Sequence, residues 1–157
     1  MKNLIPLPAS IIPRNGKYTL HPQVAICVPR GLEEIRLIGQ FLAECLRPAC
    51  GYDLPVVYAG KHSAGGISLT TEDVNPELGP EGYELTVEPG GILLRALQPA
   101  GLFRGVQTIR QLLPPAIEAR ANQPGPWQMD CGIIQDFPRF PWRGAMLDVA
   151  RHFFSAA

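Results

Sequence analysis

The sequence predicts an α+β protein, a two-layer sandwich in which two helices cover one face of a mostly antiparallel or mixed sheet. Three observations support this prediction. Short β-rich runs outnumber helical segments, two segments carry apolar residues at spacings of three and four, and one pair of runs has the composition of an antiparallel hairpin. The hairpin argues against a purely parallel sheet. Placing both helices on one face of the sheet would bury both apolar stripes together. The pattern leaves the order of the strands open.

The N-terminal part of the chain predicts two β elements. In residues 10–20, apolar Ile11 and Ile12 precede Asn15-Gly16, and Tyr18 begins a second apolar run. Asn-Gly is a strong signal for a two-residue turn, so we expect a hairpin here. Residues 24–28 lie between prolines and are the next predicted strand.

Two helices are predicted from their apolar spacing. The stripe of the first begins after Gly31, and we expect Pro48 to end it after about four turns. The second covers residues 99–113 and stops at Pro114. We expect one core to include residues of both stripes, namely Leu32, Ile35, Leu42, Val106, Ile109 and Leu113.

Further strands are predicted between and after the helices, at residues 56–58, 67–71, 83–87, 92–96 and 127–135. Residues 83–87 alternate apolar and polar side chains, as a strand with one wet face does. A Pro-Gly-Gly turn separates them from residues 92–96, which predicts the antiparallel hairpin. The glycines of Gly101-Leu102-Phe103-Arg104-Gly105 fit no phosphate-binding fingerprint, so we expect Gly105 to allow close helix–sheet packing.

Composition limits the kinds of partner. The 157 residues suffice for one well-cored domain, and 14 basic residues balance 14 acidic ones, so the charge pattern predicts no nucleic-acid or membrane partner. The four cysteines form no CxxC pair, and we expect buried or half-buried thiols, no metal and no cofactor. A reducing compartment fits such thiols, and no signal peptide is evident, so a cytoplasmic location is expected if Met1 is native.

The final residues predict the beginning of a second domain. Residues 144–149 are a short apolar run leading to Asp148, Arg151 and His152, which is typical of a strand that delivers polar groups to the functional edge of a parallel barrel. Such a strand needs neighbours on both sides. We therefore expect residues 1–136 to be an α+β domain and residues 137–157 to be a linker and the first strand of a truncated barrel.

Three segments carry a family resemblance. PRFPWRGAMLDVARHFF at residues 138–154 resembles the entry to the catalytic barrel of glycoside hydrolase family 20, the β-N-acetylhexosaminidases. GYELTV at residues 82–87 and AGLFRGVQTIRQLLP at residues 100–114 resemble the non-catalytic domain that precedes this barrel. The resemblance implies a parent enzyme that removes terminal N-acetylhexosamine residues by substrate-assisted retaining hydrolysis, and a domain that packs on the catalytic domain of the same chain. It also places the catalytic Asp-Glu pair on a later barrel strand, so the fragment is expected to be inactive and to contain no catalytic residue.

Arg151 is the candidate substrate-binding residue. A buried guanidinium needs several acceptors, which could come either from an ion pair, with Asp148 or a barrel neighbour, or from sugar hydroxyls. The resemblance implies that Arg151 binds the N-acetylhexosamine, with Asp148 and His152 supporting the site.

The alternative function for the whole chain is a stand-alone carbohydrate-binding or interaction module. Such modules present exposed aromatic platforms, whereas we expect both Trp127 and Trp142 at packing positions.

Overall fold

The computed structural model describes residues 4–58, 65–146 and 148. Within them the chain forms seven strands and two α-helices: β1 (Ser10–Thr19), β2 (Ile26–Val28), α1 (Glu33–Cys50), β3 (Val56–Tyr58), β4 (Ile67–Thr70), β5 (Tyr83–Glu88), β6 (Gly91–Ala96), α2 (Pro99–Leu112) and β7 (Gln128–Asp136). Single 3₁₀ turns lie at Pro76–Leu78 and Pro115–Glu118.

The strands form one mixed sheet in the order β1-β7-β5-β6-β4-β2-β3. β3, β2, β4 and β6 are parallel to one another, whereas β5 pairs antiparallel with β6 and β7, and β1 antiparallel with β7. β5 and β6 are the predicted hairpin, with Glu88 opposite Gly91. The predicted α+β sandwich with a mixed sheet is confirmed.

Both helices lie on one face of the sheet. α1 contacts β2, β3 and β4, α2 contacts β5 and β6, and the two helices contact each other. Ile35, Leu42, Val106, Ile109 and Leu113 are buried in one core, as predicted. The prediction for Leu32 is wrong, since its side chain is 46% exposed. Leu32 is the N-cap residue and precedes the part of α1 that packs on the sheet.

The hairpin predicted at Asn15-Gly16 is also wrong. β1 is one strand that pairs with β7 on both sides of an irregularity between Pro13 and Lys17. Gly16 has a φ of +105°, a conformation that suits glycine at a bulge. The turn dipeptide therefore marks an interruption within a strand.

Pro48 does not end α1, contrary to the prediction. The helix continues to Cys50 and ends at Gly51, which adopts a left-handed φ of +69° and donates its N–H to the Arg47 carbonyl at 2.9 Å. The proline removes the hydrogen bond that the Glu44 carbonyl would accept. Both residues are exposed, so water can take the place of the missing donor.

Two glycines let α2 lie close to the sheet. A Cβ on Gly101 would lie 2.2 Å from the Gly82 carbonyl oxygen, and a Cβ on Gly105 would lie 2.2 Å from Leu94 Cδ1. No side chain fits at either position without a shift of the helix or its neighbour. The packing role predicted for Gly105 is confirmed.

Candidate functional site

The predicted substrate-binding residue lies outside the described residues. Arg151 and His152 are not among them, and Asp148 is described and exposed. Residues 144–146 are also exposed, and in this described stretch they belong to no helix or strand. The sugar-binding role of Arg151 and the barrel strand therefore stay predictions.

The cysteines occupy the positions expected of small apolar residues. Cys27, Cys50 and Cys131 are buried and Cys45 is half-buried. Burial raises the pKa of the Cys45, Cys50 and Cys131 thiols, which disfavours the reactive thiolate. Among residues 4–58, 65–146 and 148, no group of three or more His, Cys, Asp and Glu side chains could hold a metal ion, and no helix is long and apolar enough to cross a membrane.

The helix layer carries an apolar surface, which we call the helix-face patch and define by Leu37, Phe41, Phe103 and Arg110. Leu37 is 52% exposed and lies one turn before Phe41 on α1. The Phe41 ring lies 5.2 Å from that of Phe103 on α2, which is 45% exposed. Large apolar side chains thus face outward from both helices at the point where the helices meet.

Arg110 is the charged member of this patch, and several contacts hold its side chain in place. Its guanidinium lies 5.9 Å from the centre of the Phe41 ring, within cation–π range. It donates to Glu118 through Nε at 3.0 Å and Nη2 at 2.5 Å, and to Gln107 Oε1 at 2.7 Å. A paired and oriented arginine beside an aromatic ring is a composition that protein interfaces favour.

The opposite face of the sheet is polar at its centre. Glu84 on β5 accepts hydrogen bonds from Arg95 on β6 and, at 2.7 Å, from Gln135 Nε2 on β7. These three residues stand side by side across the strands. Their side chains thus bond to one another within the sheet.

The segment that follows β7 is held against the start of α2. Glu81, in the turn before β5, pairs with Arg104 of α2 and accepts a hydrogen bond from Arg143 Nη2 at 2.6 Å. Arg143 Nη1 also donates to the Phe140 carbonyl at 2.7 Å. The two guanidinium groups, Arg104 first, hold the pKa of Glu81 below its usual range. The segment after β7 is thus attached to the helix layer through Glu81 and Arg104.

This held segment is itself apolar on its surface. Phe140 is 69% exposed and Trp142 86% exposed. A groove of about 510 Å³ lies between the segment, the N-terminal residues Pro6 and Leu7, and α2. Exposed apolar side chains therefore also occur on the chain that leaves the sheet.

The two tryptophans do not share a surface. Trp127 is buried, as predicted, whereas the packing position predicted for Trp142 is wrong. Trp142 lies after the last strand, where the described chain supplies little structure to cover it. A sugar platform built from both indoles is therefore excluded.

The sequence interpretation missed Glu81, Arg104 and Arg143. Arg104 and Arg143 lie in the segments that carried the family resemblance, but neither was singled out. Glu81 and Arg143 are 62 residues apart in sequence, and no spacing rule brings such a pair together. Only the tertiary structure identifies Glu81 as the shared acceptor.

The described fold is an α+β sandwich with two helices on one seven-stranded mixed sheet. The family model described as glycosyl hydrolase family 20, domain 2, matches residues 1–137. The chain belongs to this family, which confirms the resemblance found in the sequence.

Solved structures and curated relatives agree. An N-acetyl-β-hexosaminidase from Streptomyces plicatus is 48% identical with a TM-score of 0.86, covering 96% of this chain and 29% of that one. An exo-β-N-acetylglucosaminidase from Vibrio harveyi is 27% identical with a TM-score of 0.72, covering 97% and 21%. A β-hexosaminidase from Porphyromonas gingivalis is 33% identical over 153 residues, 98% of this chain and 19% of the relative. The chain thus spans less than a third of each protein.

Proposed function

We propose that this chain is the non-catalytic domain of a β-N-acetylhexosaminidase and that it supports the catalytic barrel of the same protein. The parent enzyme removes terminal N-acetylhexosamine residues by substrate-assisted retaining hydrolysis, with a Glu as acid and an Asp that orients the acetamido group. Both belong to a later barrel strand, so the chain alone is inactive. The observation that carries the proposal is the family-model match to residues 1–137.

Residues 1–136 form the supporting domain in this proposal, and residues 137–157 lead into the first barrel strand. On that strand Arg151 donates to hydroxyls of the N-acetylhexosamine, with Asp148 and His152 supporting it. A guanidinium suits this role because it presents several donors in a planar fork. Arg151 positions the sugar and takes no part in proton transfer.

The proposed contact with the barrel is the helix-face patch. Its exposed Leu37 and Phe103 are apolar, and the segment after β7 is attached to the same helix layer at Arg104 through Glu81. The centre of the other sheet face is polar, with Arg95 and Gln135 both bonded to Glu84. A barrel that begins a few residues after β7 therefore meets the helix layer first.

An activity assay tests the proposed reaction. A chromogenic N-acetylglucosaminide is offered to the 157-residue chain, to the full-length protein and to full-length Arg151→Ala. We expect turnover only with the full-length protein. Arg151→Ala should lower the rate at least about 100-fold, because a sugar that is not held in the reactive orientation reacts much more slowly. Turnover by the chain alone would refute the assignment of catalysis to the barrel. An unimpaired Arg151→Ala enzyme would refute the proposed role of Arg151.

A pair of matched variants tests the docking face. Leu37→Asp and Ile12→Asp each replace an exposed apolar residue, 52% and 54% exposed, on opposite sides of the sheet. We expect only Leu37→Asp to lower the melting temperature of the full-length protein, because only that charge would be buried against the barrel. Equal effects of the two variants would contradict the assignment of the docking face.

Saturable binding of N-acetylglucosamine oligomers by the chain alone would support the alternative, a stand-alone carbohydrate module.

A further inference from the structure

One carboxylate, that of Glu81, joins three parts of the chain that are distant in sequence. It lies in the turn before β5, and it accepts from Arg104 on α2 and from Arg143 in the segment after β7. We propose that Glu81 is an anchor that fixes the path by which the chain leaves the sheet, and thereby the position at which the catalytic barrel begins. This inference rests on the proposed function, because it assigns the anchor a role between the domain and its barrel.

The support beneath Glu81 is rigid. Gly82 follows it, and the Gly82 carbonyl oxygen lies so close to α2 that a Cβ on Gly101 would approach it to 2.2 Å. A Cβ on Gly82 would itself lie 2.1 Å from the Leu78 carbonyl oxygen. The turn and the helix are thus packed backbone to backbone. This packing fixes the backbone next to Glu81 and Arg104, and the pairing with Arg104 orients the carboxylate that Arg143 binds.

Arg143 closes the segment upon this support with two bonds. One amino group donates to Glu81 at 2.6 Å, and the other donates to the Phe140 carbonyl at 2.7 Å. The second bond draws the segment into a short turn, and the first attaches this turn to the domain. A guanidinium can do both because its donors point in different directions within one plane. A lysine could keep the charge but could not hold both acceptors in this geometry.

Glu81 differs from the acidic residue of an ordinary surface ion pair, because its one negative charge faces two positive charges. Two guanidinium groups share the one carboxylate, so removing its charge leaves two like charges facing each other. The Arg14–Glu88 pair, at 3.1 Å and with a more exposed carboxylate, contains one charge of each sign. Its loss should leave the segment after β7 unaffected. Glu88 is therefore the matched control for Glu81.

The first test measures order in the 157-residue chain. Amide ¹⁵N relaxation reports the order parameters of Trp142 and Arg143, which we expect to fall from about 0.8 to below about 0.6 in Glu81→Gln and in Arg143→Gln. The double variant should be no lower than either single one, and Glu88→Gln should match the wild type. Arg143 lies beyond the last strand, so its replacement leaves the folding of the sheet intact. Unchanged order parameters in both single variants would overturn the anchor.

The second test uses the full-length enzyme and separates the anchor from the proposed activity. We expect Glu81→Gln and Arg143→Gln each to lower kcat/KM about 5-fold, equivalent to a coupling of about 1 kcal/mol, and the double variant to lower it no further. The melting temperature of the 157-residue chain should not change, which distinguishes positioning from loss of the fold. An inactive wild-type enzyme would refute the proposed function while leaving the order parameters as the test of the anchor. An active wild type with unaffected single variants would refute the anchor's role alone.

Discussion

Gly101→Ala should destabilise the domain although alanine is the better helix former. In an exposed helix the change would gain about 1 kcal/mol. Here the added Cβ would lie 2.2 Å from the Gly82 carbonyl oxygen and 2.7 Å from Ala96 Cβ. Neither neighbour can rotate away, since one is backbone and the other is the first atom of a side chain. The helix must therefore lift by about 1 Å to restore an ordinary contact.

The cost of this lift can be worked from the residues beneath it. Leu102 and Val106 are fully buried, and burying each stabilises the fold by about 2 kcal/mol. A gap of about 1 Å forfeits up to half of the dispersion contacts across it. The loss is about 2 kcal/mol, and strain in the overpacked turn adds about 1 kcal/mol. After the gain in helix propensity, the net loss is about 2 kcal/mol.

Thermal and urea unfolding followed by circular dichroism would measure this loss, which corresponds to a melting temperature lower by roughly 5–10 °C. Gly105→Ala should cost about 1 kcal/mol, because its close neighbour is the end of the Leu94 side chain, which can shift slightly. Gly90→Ala is the control, since nothing lies within 4 Å of the added Cβ, and its effect should stay within about 0.5 kcal/mol. A Gly101→Ala domain as stable as the wild type would show that the helix does not approach the sheet this closely.

Three further outcomes follow from the core and the anchor. Val106→Asp places a carboxylate at a fully buried site and should cost roughly 3–5 kcal/mol, against about 2 kcal/mol for Val106→Ala, by urea unfolding. Burial raises the pKa of Tyr83 to about 12, so between pH 10 and 12 only the unfolded chain ionises this phenol, and stability should fall with rising pH by about 1.4 kcal/mol per unit from this group. Tyr83→Phe should show a shallower decline, and an equal slope would contradict the assignment. Since Arg104 and Arg143 lower the pKa of Glu81, the anchor should persist as the pH falls through the ordinary glutamate range and release only below it, which the Trp142 amide order parameter would report.

The elements predicted well from the sequence are those whose periodicity reflects direct burial. β5 alternates buried Tyr83, Leu85 and Val87 with less buried neighbours, and the buried positions of α2 repeat at three and four. In both, one side of the element faces the core along its whole length. The period of the pattern is then the period of the structure.

Local signals were wrong where a distant partner determines the outcome. Asn15-Gly16 would close a hairpin in an isolated chain, but β7 offers partners on both sides of it, with Lys17 opposite Asp130. A strand with a bulge keeps more backbone hydrogen bonds than a hairpin that abandons β7. The same limit explains the missed anchor, because the proximity of Glu81 to Arg143 depends on how β5 and β7 lie side by side.

The stretch from Gly101 to Gly105 shows how one turn of helix serves several contacts. Gly101 and Gly105 face the sheet, where any Cβ is too large, and Leu102 fills the core between them. Phe103 points toward Phe41 of α1 and contributes to the exposed patch. Arg104 points toward Glu81 and the segment after β7. Changes at the glycines should therefore reduce the stability of the isolated domain. Under the proposed function, changes at Phe103 or Arg104 should instead act on attachment to the barrel, and comparing the chain with the full-length protein would distinguish the two kinds of variant.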